Sequence, residues 1–196
     1  MELSSILSRF NVDNGTLPYR VSNMTRDDLA HMLGEMEMKA GAEIGVWRGA
    51  YSLRLCQSIP DVKLKCVDPW LPFRRNSQIR MDSYFRIASR RVRPYGAEII
   101  KKTSLEAVRD VPDKSLDFVY IDGMHEFDFV MVDLILWADK VRPGGIVSGH
   151  DYDTPTWCNG VMRAVEAYTK EHNISPWYIT MDEGENMPPS FFWVKP

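Results

Sequence analysis

No stretch of this 196-residue chain approaches the ~18 consecutive apolar residues needed to span a bilayer. The opening Met1-Glu2-Leu3-Ser4 lacks the basic-then-apolar pattern of a secretory signal. Cysteine is scarce: Cys56, Cys66 and Cys158 are odd in number, form no zinc spacing and fall inside apparent helices or strands. They read as free thiols in a reducing compartment, and the expectation is a cytoplasmic protein with no membrane partner. Charge of one sign is also missing. A net charge of −3 argues against a generic nucleic-acid binder. There is no internal repeat or low-complexity tract. The three-glycine dinucleotide fingerprint is absent too, and that absence bears on the choice of cofactor.

What is there is an alternation. At 44% hydrophobic residues, the chain can fill one core. Residues 1–23 show weak periodicity and are expected to form an N-terminal arm, a candidate surface for a homodimer. Residues 24–196 are expected to form a single α/β domain. Thr25 is placed to cap a helix running through Glu37, with Leu29, Met32, Leu33 and Met36 on one face. Apolar runs at 42–46, 62–67, 97–100, 116–121 and 145–148 read as buried parallel strands. Helices are expected at 52–58, at 77–92, along the stripe Phe127, Val130, Met131, Leu134, Trp137 and Ala138, and around Val161, Val165 and Tyr168. Arg142-Pro143-Gly144-Gly145 reads as a turn feeding the fifth of these strands. The tail breaks the alternation: 177–180 and 191–194 read as a hairpin joined by a turn over 182–190. Together these predict a doubly wound, mostly parallel sheet with an antiparallel C-terminal hairpin.

In such a sheet, ligands bind beyond the C-terminal strand ends. Glu43-x-Gly45-x-x-x-Gly49 sits at a strand-to-helix turn, where glycine admits close backbone approach and positive φ, and where a helix N-terminus offers N–H groups to an anion. Asp68, 19 residues after Gly49, ends the next strand and can accept both hydroxyls of a ribose. The plain alternative is a tight turn with a capping Asp. An NAD site would also want Asp68, but Trp47 fills the slot where a pyrophosphate needs glycine. A cofactor carrying a single carboxylate fits better.

Two further strand ends carry acids and imidazoles: Asp122-Gly123-Met124-His125 and His150-Asp151-Tyr152-Asp153. Neighbouring strands would bring Asp122, His150 and Asp151 together. Such donors suit Mg²⁺ or Ca²⁺, and imidazole shifts the preference toward Mn²⁺, Fe²⁺ or Zn²⁺. A metal there could acidify a bound hydroxyl; without one, His125 or His150 could take the proton. Helix capping by the acids is the structural alternative. His31 and His172 have no acidic motif partner and read as structural or surface residues. Residues 74–93 hold Arg74, Arg75, Arg80, Arg86, Arg90, Arg91 and Arg93 against Asp82 alone. This is either a solvated helix face or a surface for an anionic substrate or acidic partner.

The run of motifs Asp68-Pro69-Trp70, Met81-Asp82-Ser83-Tyr84-Phe85-Arg86, Ser115 to Asp122-Gly123-x-His125, Asp133-Leu134-x-x-Trp137 and Arg142-Pro143-Gly144-Gly145 to Gly149-His150-Asp151-Tyr152 resembles class I S-adenosylmethionine-dependent methyltransferases. The resemblance covers about residues 40–172. It is to methyltransferase family 24, related to macrocin and mycinamicin sugar O-methyltransferases and to catechol O-methyltransferase. It implies a Rossmann-like seven-stranded sheet with an antiparallel last strand. It implies Glu43, Gly45, Gly49, Ser52, Asp68, Pro69, Trp70, Ser104 and Asp122 as cofactor residues: Glu43 and Gly45 under the methionine moiety, Ser52 near its carboxylate, Asp68 on the ribose, Pro69 and Trp70 near the adenine, Ser104 at the adenine edge. Asp122 and Asp151 match metal-ligand positions of metal-dependent relatives, and His150 stands where several of them carry a second acid.

The expected function is therefore S-adenosylmethionine-dependent methylation of a small molecule at a hydroxyl, with an anionic acceptor as a candidate partner and Mg²⁺ or Mn²⁺ as the candidate metals. Asp122, His125 and His150 are the catalytic candidates, Asp122, His150 and Asp151 the metal candidates. Trp70, Tyr152 and Trp157 are candidate pocket walls, with core packing as the alternative for each. Other readings are an NAD-type oxidoreductase, a non-catalytic cofactor-binding or assembly module, and an oxidation centre using His125, His150 and an Asp as a facial triad.

Overall fold

In the computed structural model, residues 2–152, 159–181 and 188–196 are described. The parallel core of the sheet is made by β3 (Ala40–Ile44), β4 (Lys63–Val67), β5 (Glu98–Ile100), β6 (Leu116–Ile121) and β7 (Val141–Gly149). Their buried stretches are apolar because helices cover both faces. The order across the sheet is β7-β6-β3-β4-β5, so the winding reverses between β3 and β6. There the backbone N–H of Asp122 donates to the Ile44 carbonyl at 2.7 Å.

The tail closes one side as expected. β9 (Phe191–Val194) pairs antiparallel to β7 and to β8 (Tyr178–Ile179). The sheet then continues beyond seven strands. Val12–Asp13 and Tyr19–Val21, here β1 and β2, form a hairpin whose second strand runs parallel to β8, giving nine strands among the described residues. Strands of two and three residues are too short to show an alternating pattern, so the sequence reading of residues 1–23 contains no strand. Leu3–Leu7 (α1) adds a short helix there, with Ile6 and Leu7 buried.

Helix α2 (Arg26–Glu35) starts where Thr25 accepts from the Asp28 N–H and Asp28 reaches back to the Thr25 N–H, a reciprocal cap. Helices α3 (Ala50–Ser58) and α4 (Gln78–Val92) lie close together, and a short α5 (Ser104–Ala107) follows β5. The stripe helix α6 (Phe127–Ala138) and α7 (Asn159–Glu171) complete the fold. β7 is longer than its apolar run. Leu116 pairs with Val141 but Phe118 with Ile146, so the Pro143-Gly144 turn is a bulge inside the strand, with Gly144 at φ +78°. The buried side chains form one cluster on each sheet face. Among the described residues no helix is long and apolar enough to cross a membrane.

Candidate active site

Four adjacent strands, β7, β6, β3 and β4, bring their C-terminal ends together, and Glu43, Asp68, Asp122 and Asp151 stand on or just beyond those ends. The loop after β3 is shaped by its glycines. Gly45 has φ +92°, and a Cβ there would lie 2.0 Å from the Asp122 carbonyl oxygen, so only glycine lets the two loops touch. Gly49 has φ +68° and packs against the α4 backbone at Ala88. Trp47 reaches φ +50° without being glycine and is half-exposed, edge-on to Tyr84.

Asp68 organises this loop. One carboxylate oxygen accepts from the backbone N–H groups of Val46 at 3.1 Å and Trp47 at 2.8 Å; the other accepts from the Trp70 N–H at 2.7 Å. Burial pushes the Asp68 carboxyl upward and those three N–H groups pull it back; the net shift is upward. Glu43 is buried and accepts from Ser52. Burial, only partly offset by Ser52 and Arg26, pushes its carboxyl up to about 8.

The second cluster joins the segments that follow β6 and β7. His125 Nε2 lies 2.8 Å from Asp151 Oδ2. His150 Nδ1 lies 3.3 Å from Asp151 Oδ1 and 3.8 Å from Asp122 Oδ1, and its Nε2 is buried without a hydrogen-bond partner among the described residues. Asp151 holds φ +61°, which presents its carboxylate to both rings. Burial alone would raise Asp151, but the hydrogen bonds and charges of the two imidazoles hold it far below the carboxylate range. For His125, burial lowers the pKa; the Asp151 hydrogen bond and charge, with Asp122 behind them, outweigh it and raise the ring above its ordinary value. Ligand atoms of Asp122, His125 and Asp151 lie within 4.8 Å of one another, close to the separation of two ligands each ~2.1 Å from one ion. That spacing makes His125 a further candidate donor, beside the His150 of the sequence reading, whose Nδ1 is also within 4 Å of both acids.

The other expected residues take the following places. The Trp70 ring is fully buried against Phe85, with its indole N–H on the Trp47 carbonyl; it is core and offers no open face. Ser104 donates to Asp133 and accepts from the Trp137 indole N–H at 2.8 Å, so it ties α5 to α6; burial pushes the Asp133 carboxyl up to about 6. Pro69 is half-buried beside Asp68. Tyr152 is buried, bonds Glu166 at 3.1 Å and lines a cavity of about 320 Å³ with Asp13, Arg20 and Met162. Trp157, Cys158 and Asp153 lie outside the described residues.

One residue was missed. Arg26, at the first turn of α2, enters the site: its guanidinium is 2.8 Å from Asp122 Oδ2 and lies over the rings of Tyr51 at 4.1 Å and Tyr120 at 5.1 Å. The available signal is a cation at a helix N-terminus, where the dipole disfavours it.

Residues 42–152 match the family model described as a methyltransferase domain, and this stretch contains the β3 loop, Asp68 and both acid–imidazole motifs. The chain belongs to the class I S-adenosylmethionine-dependent methyltransferases. Among similar proteins, the one called Uncharacterized protein y4gI of Sinorhizobium fredii is 27% identical over 114 residues, 56% of this methyltransferase chain. The chain spans only 12% of that protein's length. A Bacillus cereus O-methyltransferase solved with S-adenosylhomocysteine superposes with a TM-score of 0.62 at 14% identity, covering 85% of this chain and 77% of the other. TomG of Streptomyces achromogenes, solved with S-adenosylmethionine, gives 0.55 at 17%, covering 87% and 80%. An rRNA methylase of Streptococcus thermophilus gives 0.60 at 13%, covering 86% and 95%. At these identities the solved structures establish the fold, a Rossmann-like sheet.

Proposed function

We propose that this methyltransferase transfers a methyl group from S-adenosylmethionine to a hydroxyl oxygen of a small molecule. The observation that carries the reading is the His125–Asp151 pair, set beside Asp122 one strand from the Glu43 loop. The chemistry of the donor set suits the cofactor. Glu43, Asp68 and Asp122 bring three carboxyls around the β3 loop, and Glu43 is desolvated enough to hold its proton near neutrality. S-adenosylmethionine, when bound, supplies an activated methyl whose S–C bond breaks as the O–C bond forms, together with a cationic sulfonium and ammonium that complement these acids.

The protein's own work is alignment and proton acceptance. With Nε2–H donating to Asp151, the ring of His125 accepts the hydroxyl proton at Nδ1, and Asp151 steadies the imidazolium that forms. Asp122, His125 and Asp151 would alternatively hold Mg²⁺ or Mn²⁺, which would lower the pKa of the acceptor hydroxyl. An anionic acceptor is the variant favoured by the arginines of α4.

The base must be neutral to act, so the rate rises as pH increases through the raised His125 pKa. Asp151→Asn removes the charge that raises it. Release of S-adenosylhomocysteine, followed by mass spectrometry across pH with a panel of sugar and phenol acceptors, should show that rising limb. In the variant the limb should move to lower pH, with a maximal rate reduced on the order of 10²-fold. A limb that stays in place would count against His125 as the base.

A further inference from the structure

Asp122 already has a resident cation. Arg26 is the first residue of α2, yet the helix start is completed by Thr25 and Asp28, so the guanidinium has no capping task there. It is drawn instead off the helix dipole's unfavourable end onto the mutually packed rings of Tyr51 and Tyr120, whose centroids are 4.2 Å apart. The side chains of Arg26 and Asp122 are only 16% and 19% exposed, so little solvent screens the pair.

A divalent ion held by Asp122, His125 and Asp151 needs the same carboxylate. It would sit a few ångströms from the guanidinium, with like charges facing each other across one aspartate in a partly desolvated setting, where Coulomb repulsion is several times stronger than in bulk water. We infer that Arg26 is the built-in counter-cation of Asp122 and sets the metal affinity of the cluster, so that a divalent ion binds only in competition with it. Arg26 is a positioning residue: it aims the Asp122 carboxylate and places a positive charge against it when no metal is bound. This rests on the reading of that cluster as the reaction centre.

The test is a Mn²⁺ titration of the full chain, followed by the electron paramagnetic resonance signal of free Mn²⁺. Arg26→Met keeps the length and packing of the side chain and removes its charge; Arg26→Lys keeps a charge but not the planar fork. Arg26→Met should bind Mn²⁺ at least about tenfold more tightly than the wild type, and Arg26→Lys should stay near it. Loss of a merely structural residue would weaken binding. Mn²⁺ affinity that is unchanged, weakened or undetectable in Arg26→Met, with cooperative unfolding and S-adenosylhomocysteine binding intact, overturns the inference. If Arg26→Met does not fold, Arg26→Gln, which still donates a hydrogen bond to Asp122, carries the same expectation. Failure of the wild type to bind S-adenosylhomocysteine would instead strike at the cofactor reading and leave the metal competition to be read from the same titration.

Discussion

Asp68 shows how one side chain can serve both the fold and a ligand. The sequence marks it as a ribose acceptor; the structure adds that three backbone N–H groups converge on it. Asp68→Ala should therefore do more than weaken cofactor binding. It leaves buried donors without an acceptor, at about 1–3 kcal/mol. Thermal unfolding and calorimetry with S-adenosylhomocysteine should both register the change, and an unaltered melting temperature would show that the loop holds its shape by other means. Glu43 has the opposite energetics. Its folded pKa of about 8 stands above the ordinary 4.5, so between those values the folded state binds more protons than the unfolded. Stability falls as pH rises through that window. Such a cost fits a residue kept for a ligand rather than for the fold.

At the scale of elements, legibility followed side-chain pattern. The parallel strands, the stripe helix α6 and the Thr25 cap were readable because burial imposes periodicity and a cap demands a particular oxygen. The Asp122–His125 and His150–Asp151 motifs were readable because they follow apolar runs whose ends must share one edge. Arg26 and Ser104 were not. Arg26 reaches the site from a helix 96 residues away from Asp122 in sequence, and the Ser104–Asp133 bond spans 29 residues; only packing reveals such partners. The arginine-rich α4 is settled in part. It turns Met81, Ala88 and Val92 inward and leaves Arg86, Arg90 and Arg93 exposed, while Arg91 bonds the Arg48 carbonyl at 3.0 Å. Replacing Arg86 and Arg90 by Glu should change stability by no more than about 0.5 kcal/mol. Turnover of an anionic acceptor should suffer more than that of a neutral one. Equal effects on both would leave α4 as a solvated face.

For the molecule as a whole, the winding order was implied by the alternation of strand and helix, whereas the extent of the sheet was not. Residues 12–21 join it through pairings of two residues each, β1 on β2 and β2 on β8, below the length at which a pattern can be recognised. The consequence is a site floored by β7, β6, β3 and β4 and entered by Arg26 at the start of α2, with acids that outnumber cations until a cationic ligand arrives. Titration with S-adenosylmethionine at pH 7 in two buffers of different ionisation enthalpy tests that excess of carboxyls directly. The expected result is one site per chain with a net release of protons to the buffer as Glu43 ionises beside the bound cation. The release should be lost, and the affinity reduced about tenfold or more, in Glu43→Gln. Absence of binding, or binding with proton exchange that Glu43→Gln leaves unchanged, would contradict it.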